Sequence, residues 1–230
     1  MKTGWTLLPL AGLVLAAGVY GGYIRTTLTD YTAGENWAEH FVVAEMPQEV
    51  GLEKIRNMAV YLPSSPHILR VEVLGELEMS AGEGQQKVRV AQVYAGEGLE
   101  IGQEFYLYHS AWWVSFHEMN SLGRGQVNLL KVGKEYLVFL EGDVETLYSP
   151  LPVYGCVEGV EMPDLGWVDF MAPVFCYDTI PNVAVPFTGE WGSGVSYSQV
   201  RENEFFGATD TLIKAWEQMK ADFLQMYPRT

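Results

Sequence analysis

Apolar residues are unevenly spread along the chain, and the longest uncharged run comes first, over residues 5–24. Twenty helical residues span about 30 Å, the thickness of a bilayer hydrocarbon core. The run predicts an uncleaved signal anchor, with a cleaved signal peptide built on residues 7–17 as the alternative. A buried helix of a soluble protein is a third alternative, and Pro9 weighs against it because proline weakens such helices.

Residues 25–66 predict a lead-in with two short helices. The first is predicted over residues 35–44. The second is predicted from apolar residues at helical spacing, which are Leu52, Ile55, Ala59 and Leu62. Pro63 ends this helix, because proline cannot continue the backbone hydrogen bonding.

Beyond residue 66 the apolar period changes to two, which is typical of half-buried strands. Leu69, Val71 and Val73 alternate with polar residues until Gly75 shifts the phase, and this shift predicts a β-bulge. Further strands are predicted over 87–94, 105–109, 136–140, 153–157 and 174–177, with short ones over 125–131 and through Tyr197 and Val200.

The C-terminal residues return to a helical period. Thr209 or Asp210 is suited to cap the helix. One apolar stripe follows, formed by Leu212, Trp216, Met219 and Phe223. The chain is therefore expected to divide into a membrane segment (1–24), a lead-in (25–66), a β domain (67–206) and a C-terminal helix (207–230).

The β region carries a family resemblance, over about residues 67–141. The run Val132-Gly-Lys-Glu-Tyr-Leu-Val-Phe-Leu140 and the strands before it resemble bacterial netrin-like and TIMP-like modules. The resemblance implies an extracytoplasmic OB-fold. The expected fold is therefore mainly β, an OB-like five-stranded barrel with a lead-in helix and a C-terminal helix, preceded by an N-terminal membrane segment.

Protease inhibition does not follow from this resemblance. The inhibitory members of the family use an N-terminal cysteine to ligate the zinc ion of the protease. Here no cysteine precedes Cys156. The resemblance therefore extends to fold and location only.

The net charge argues against one class of partner, and the cysteine count raises the question of a disulfide. The formal net charge of −15 repels phosphate backbones and argues against binding to nucleic acid. The two cysteines, Cys156 and Cys176, are predicted to form a disulfide, as pairs in exported proteins often do. Two free, buried thiols are the alternative.

The loop after the third predicted strand is the first candidate site. Trp112, Trp113 and Phe116 would bind a ligand if they were exposed, and would close the end of the barrel if they were buried. His109, His117 and Glu118 are weak candidates for metal ligation, because their spacing matches no established metal motif. No catalytic residue and no cofactor can be nominated.

These features favour a non-enzymatic binding or interaction module outside the cytoplasm. The module would be membrane-anchored or secreted, and its partner would be a protein or a glycan at the cell surface. One alternative is a structural accessory subunit of an envelope complex. The other is a metal-dependent or hydrolytic enzyme without a recognisable motif.

Overall fold

A computed structural model describes most of the chain. The described residues are 4–27, 35–43, 45–80, 83–110, 113–114, 122–123, 126–146, 149–164, 166–186 and 194–229. They form two units, residues 1–37 and 38–230.

The first unit contains helix α1 (Gly4–Thr27). Among the residues whose side chains are described, no helix is long and apolar enough to cross a membrane. The membrane segment therefore stays a prediction from the sequence.

The second unit combines helices with sheet. Its strands are β1 (Val42–Val43), β2 (His67–Ser80), β3 (Glu83–Ala95), β4 (Glu104–His109), β5 (Leu122–Gly123), β6 (Glu135–Asp143), β7 (Val153–Cys156), β8 (Gly159–Met162), β9 (Gly166–Asp169) and β10 (Val174–Cys176). Its α-helices are α2 (Gln48–Tyr61), α3 (Tyr197–Val200) and α4 (Asp210–Met226). The fold is thus mixed, and the expectation of a mainly β chain holds only in part.

Six strands form the main sheet in the order β10-β6-β2-β3-β4-β7. Strand β7 also pairs with β6, so the ladder returns to a strand that it already contains. The β4–β7 pair is parallel and the other pairs of this sheet are antiparallel. Two smaller sheets pair β1 with β5 and β8 with β9.

The β-bulge predicted at Gly75 is confirmed. In the β2–β3 ladder, Val73 pairs with Val88, and the next pair is Leu77 with Gln86, so β2 carries extra residues at this point. The Gly75 carbonyl accepts a hydrogen bond from the Gln86 side chain at 3.2 Å. The Gly75 carbonyl therefore has a hydrogen-bond partner although the bulge interrupts the regular ladder.

Three of the predicted elements are wrong. Residues 35–44 contain one 3-10 turn (Trp37–Glu39), and the chain then enters β1. Tyr197 and Val200 lie in helix α3 and not in a strand. Residues 126–131 also form no strand, although Val127 makes isolated bridges to Trp113 and Phe205.

The predicted disulfide is absent, and the alternative of two free, buried thiols holds. Cys156 lies opposite Leu140 and Cys176 opposite Tyr136, both on strand β6. Partners four positions apart on one strand are separated by about 13 Å, whereas a disulfide requires less than about 7 Å between Cα atoms. Burial raises the pKa of both thiols, so they remain protonated.

Helix α4 packs on the sheet, as its apolar stripe predicts. The ring centroids of Phe223 and Phe139 are 5.1 Å apart. A buried ion pair adds a polar attachment, since Lys220 Nζ lies 2.5 Å from Glu204 Oε2. Glu204 Oε1 accepts the backbone N–H of Cys176 at 2.6 Å, which links the helix to β10. Removing one partner of such a pair costs about 3–5 kcal/mol, because a buried charge is left unpaired.

The predicted cap of α4 is also confirmed. Thr209 Oγ1 accepts the backbone N–H of Leu212 at 3.3 Å and donates to Gln48 Oε1 at 2.8 Å. We expect Thr209→Ala to lower the free energy of unfolding by about 1–2 kcal/mol in urea denaturation. The control is Thr211→Ala at an exposed helical position, which should change it by less than about 0.5 kcal/mol. Equal losses in the two variants would contradict the capping role.

Candidate functional site

The structure places two of the six candidate side chains of the loop after β4. These are His109 and Trp113. Trp112, Phe116, His117 and Glu118 lie outside the described residues. Among the described residues, no group of three or more metal-ligating side chains comes together.

Trp113 belongs to the interior. Only 1% of its surface is exposed, and its ring stacks on the imidazole of His109 with centroids 4.0 Å apart and planes 4° from parallel. The expectation of an exposed ligand contact is therefore corrected for Trp113, and the alternative, a buried aromatic, applies. The physical reason is that the stack removes one face of each ring from water, and the surrounding interior covers the rest of Trp113.

Five buried polar atoms, on the stacked pair and on two residues close to it along the backbone, lack hydrogen-bond partners among the described residues. They are both ring nitrogens of His109, Ser110 Oγ, Trp113 Nε1 and Gln126 Oε1. We call these four residues the His109 cluster. Burial lowers the pKa of His109 to about 3, so its ring is neutral. Each such unsatisfied atom costs about 1–3 kcal/mol, and five of the eight found among the described residues fall in this cluster.

A second feature, which the sequence reasoning missed, is the β8–β9 hairpin. Trp167 in β9 is 59% exposed and lies directly across the ladder from Glu161. Its indole rests on Gly159, where an added Cβ would lie 2.7 Å from two ring carbons. Because Gly159 has no side chain, the indole can pack directly against it.

Helix α2 holds the hairpin in place. Lys54 Nζ lies 2.5 Å from Asp169 Oδ2 at the end of β9. The hydroxyl of Tyr61 donates to Met162 Sδ at 2.8 Å, and its ring stacks on Phe170. Both strands are thus attached to the same helix. An exposed indole on such a support loses little entropy when it binds a partner.

The surroundings of Trp167 are acidic. Glu158, Glu161 and Asp164 are exposed, and no lysine or arginine occurs in residues 158–169. Asp169 is paired with Lys54 of helix α2. The hairpin itself has no lysine or arginine that could pair with the other three carboxylates. The hairpin therefore presents a tryptophan in a region of negative potential.

Comparison with known proteins assigns no family to this geometry. No protein-family model matches the chain, and no curated protein matches its sequence significantly.

A sequence signal for the hairpin does exist. Val160 and Met162 precede a turn-forming run that includes Pro163, Asp164 and Gly166, and Trp167 and Val168 follow it. Turn residues between two short β-prone runs are typical of a hairpin. The signal was weak because each strand has only four residues.

The pH dependence of stability tests the burial of His109. Its pKa is lowered to about 3 in the folded chain, whereas an unfolded histidine titrates near about 6.5. The unfolded state therefore binds the proton first. The protonation of His109 should therefore cost no stability above about pH 6.5. Below that pH it should lower the free energy of unfolding by up to about 1.4 kcal/mol per pH unit.

We expect His109→Phe to remove this part of the slope in urea unfolding between about pH 4 and pH 7. His40→Phe, at an exposed position, is the control for replacing a histidine by phenylalanine. An unchanged slope in His109→Phe would show that His109 is solvated.

The attachment of the hairpin to α2 can be tested separately. Lys54→Met removes the ion pair with Asp169 and keeps an apolar side chain of similar length. Amide hydrogen exchange in the β8–β9 ladder should become about fivefold faster, which corresponds to a loss of about 1 kcal/mol locally. Lys214→Met, on the exposed side of α4, is the control. No difference between the variants would mean that the helix does not hold the hairpin.

Proposed function

We propose that the protein is an extracytoplasmic, non-enzymatic interaction module that binds a cationic segment of a protein at the cell surface. The observation that carries the proposal is the exposed Trp167 on the acidic β8–β9 hairpin. An exposed large aromatic residue on a supported element is the kind of residue that dominates binding energy at protein interfaces.

The chemistry of the hairpin favours a cation. The face of an indole attracts lysine and arginine side chains with about 0.5–2 kcal/mol. Glu161 lies across from Trp167, so a bound cation would also meet a carboxylate. A neutral glycan is not attracted by the negative potential over a distance, and an anionic partner is repelled by it. A lysine- or arginine-rich polypeptide is therefore the favoured partner.

The OB-like barrel belongs to this proposal. Its support is the cyclic pairing β6-β2-β3-β4-β7-β6, with a single parallel pair between β4 and β7. Such barrels bind ligands on one face and through their loops. The netrin-like resemblance and the apolar residues 5–24 support a position outside the cytoplasm, held by a membrane anchor.

A structural accessory subunit of an envelope complex is the second candidate. Its specific support is the exposure of Val183 as well as Trp167 within the same part of the chain. Such a subunit would be bound permanently, and its free form would be unstable. The interaction module, by contrast, folds alone and binds its partner reversibly.

The test is calorimetric titration of the full-length protein with a short oligolysine peptide. Trp167→Ala should weaken binding about tenfold, since about 1.4 kcal/mol of cation–aromatic attraction is lost. Its melting temperature should hardly change, because the side chain is largely exposed. Binding of the wild type should also weaken with salt.

Two controls separate this interaction from general attraction to an acidic protein. Ile101→Ala removes another exposed apolar side chain and should leave binding unchanged. Glu97→Gln removes an exposed carboxylate elsewhere and should have little effect, whereas Glu161→Gln should weaken binding. Equal effects of both glutamate variants, or none of Trp167→Ala, would refute the proposed surface.

A further inference from the structure

The three residues that follow helix α4 lie against the main sheet. We call Tyr227, Pro228 and Arg229 the strap. The hydroxyl of Tyr177 donates to the Tyr227 carbonyl at 2.8 Å, and the hydroxyl of Tyr94 donates to the Pro228 carbonyl at 2.7 Å. One tyrosine lies on β3 and the other directly follows β10. Side chains from two distant parts of the chain thus hold the backbone of the strap.

The side chain of Arg229 fills a site suited to a guanidinium group. Its Nε lies 2.7 Å from Glu135 Oε2, and its Nη2 lies 3.3 Å from Asp178 Oδ1. Its guanidinium carbon lies over the Tyr177 ring, 5.4 Å from the centroid. Carboxylates at the edge and an aromatic ring at the face suit the planar fork of arginine better than the compact ammonium of lysine. We call Glu135, Asp178 and Tyr177 the Arg229 site.

Both carboxylates of this site have a second cation. Glu135 is paired with Arg70 at 3.2 Å, and Asp178 is paired with Lys134 at 2.7 Å. If Arg229 leaves, neither carboxylate is left without a cation. The site therefore keeps its side chains in place when Arg229 is absent.

The two tyrosine hydroxyls also have an alternative to the strap. They lie 2.9 Å apart, and each carries one hydrogen, so two hydrogens serve three close contacts. While the strap is docked, both hydrogens are used by its carbonyls. When it leaves, Tyr94 and Tyr177 can bond each other. Release of the strap therefore replaces part of the hydrogen bonding that it removes.

Arg229 is held less firmly than Tyr227. The Arg229 side chain is 44% exposed, and exposed ion pairs contribute little to stability because water and salt screen them. The Tyr227 ring packs against Tyr94 and Phe139, with centroids 5.3 and 5.8 Å apart. Arg229 can therefore leave its site while Tyr227 stays in place.

We propose that the Arg229 site binds an arginine of a partner protein, and that Arg229 occupies the site until the partner displaces it. The space for the ligand is evident because Arg229 fills it. The net charge of −15 attracts a cationic partner from solution. A site that is filled internally most of the time lowers the apparent affinity by the fraction that is open. This site goes beyond the function proposed for the β8–β9 hairpin and shares no residue with it.

The experiment titrates the full-length protein with N-acetyl-arginine amide and follows the backbone amides of Tyr177 and Asp178 by NMR. We expect Arg229→Ala to bind this probe saturably and about tenfold more tightly than the wild type, because the internal competitor is gone. N-acetyl-lysine amide should bind this variant about fivefold more weakly than the arginine probe. Arg201→Ala, which removes another exposed arginine, is the control and should bind like the wild type.

A second measurement uses the wild type and covers the case in which Arg229→Ala fails to fold. The Nε–H of Arg229 is bonded to Glu135 and should exchange slowly with water. An excess of the arginine probe should release this group and speed up its exchange. An exchange rate that the probe leaves unchanged would mean that Arg229 is not displaced, and would overturn the proposal.

Three results of the titration would also overturn it. One is the absence of saturable binding to Arg229→Ala, which would make the strap a structural contact only. The second is equal affinity for the arginine and lysine probes, which would indicate general attraction to an acidic surface. The third is a wild-type dimer in sedimentation that the probe dissociates, because the arginine would then come from a second copy of the chain.

Discussion

Strand β6 is hydrogen-bonded along both of its edges, and the rest of the domain is arranged around this fact. One edge pairs with β2, and the other is shared by β10 and β7. All five residues from Tyr136 to Leu140 are buried. A strand that is covered on both faces has no position for a polar side chain, and this explains its continuous apolar sequence. Helix α4 covers it through the contact of Phe223 with Phe139.

In segments that form no helix or strand, side-chain amides supply hydrogen bonds to the backbone. Gln86 bonds the backbone of Leu130 in both directions, as a neighbouring strand would. Asn128 and Asn203 hold the segments after β5 and before α4 by bonding backbone carbonyls. The irregular parts of the domain are therefore fixed by a few specific residues, each of which satisfies backbone groups that no ladder reaches.

The elements that could be predicted are those whose signal is local. The stripe on α4, its cap at Thr209, the bulge at Gly75 and the helix ending near Pro63 all follow from nearby residues. The separation of Cys156 from Cys176 does not, because it depends on which positions of β6 each strand faces. Tyr197 and Val200 have a spacing that suits a buried helix turn, and β-propensity alone pointed the other way.

The same distinction applies to the candidate sites. An aromatic-rich loop was recognisable from the sequence, but whether Trp113 faces water is decided by its stacking on His109, a contact that no spacing reveals. The hairpin that carries Trp167 is too short for a clear sequence pattern, and the 59% exposure of the indole is a property of the folded chain. Side-chain type could be read from the sequence, whereas accessibility required the fold.

The β8–β9 hairpin pairs with no strand of the main sheet among the described residues. Changes in its solvent-facing residues therefore leave the cyclic ladder and its apolar strand β6 untouched. In descent, such an arrangement lets the proposed binding surface diversify while the scaffold is preserved. In protein engineering, it makes the hairpin a natural position for substitutions that leave the scaffold intact.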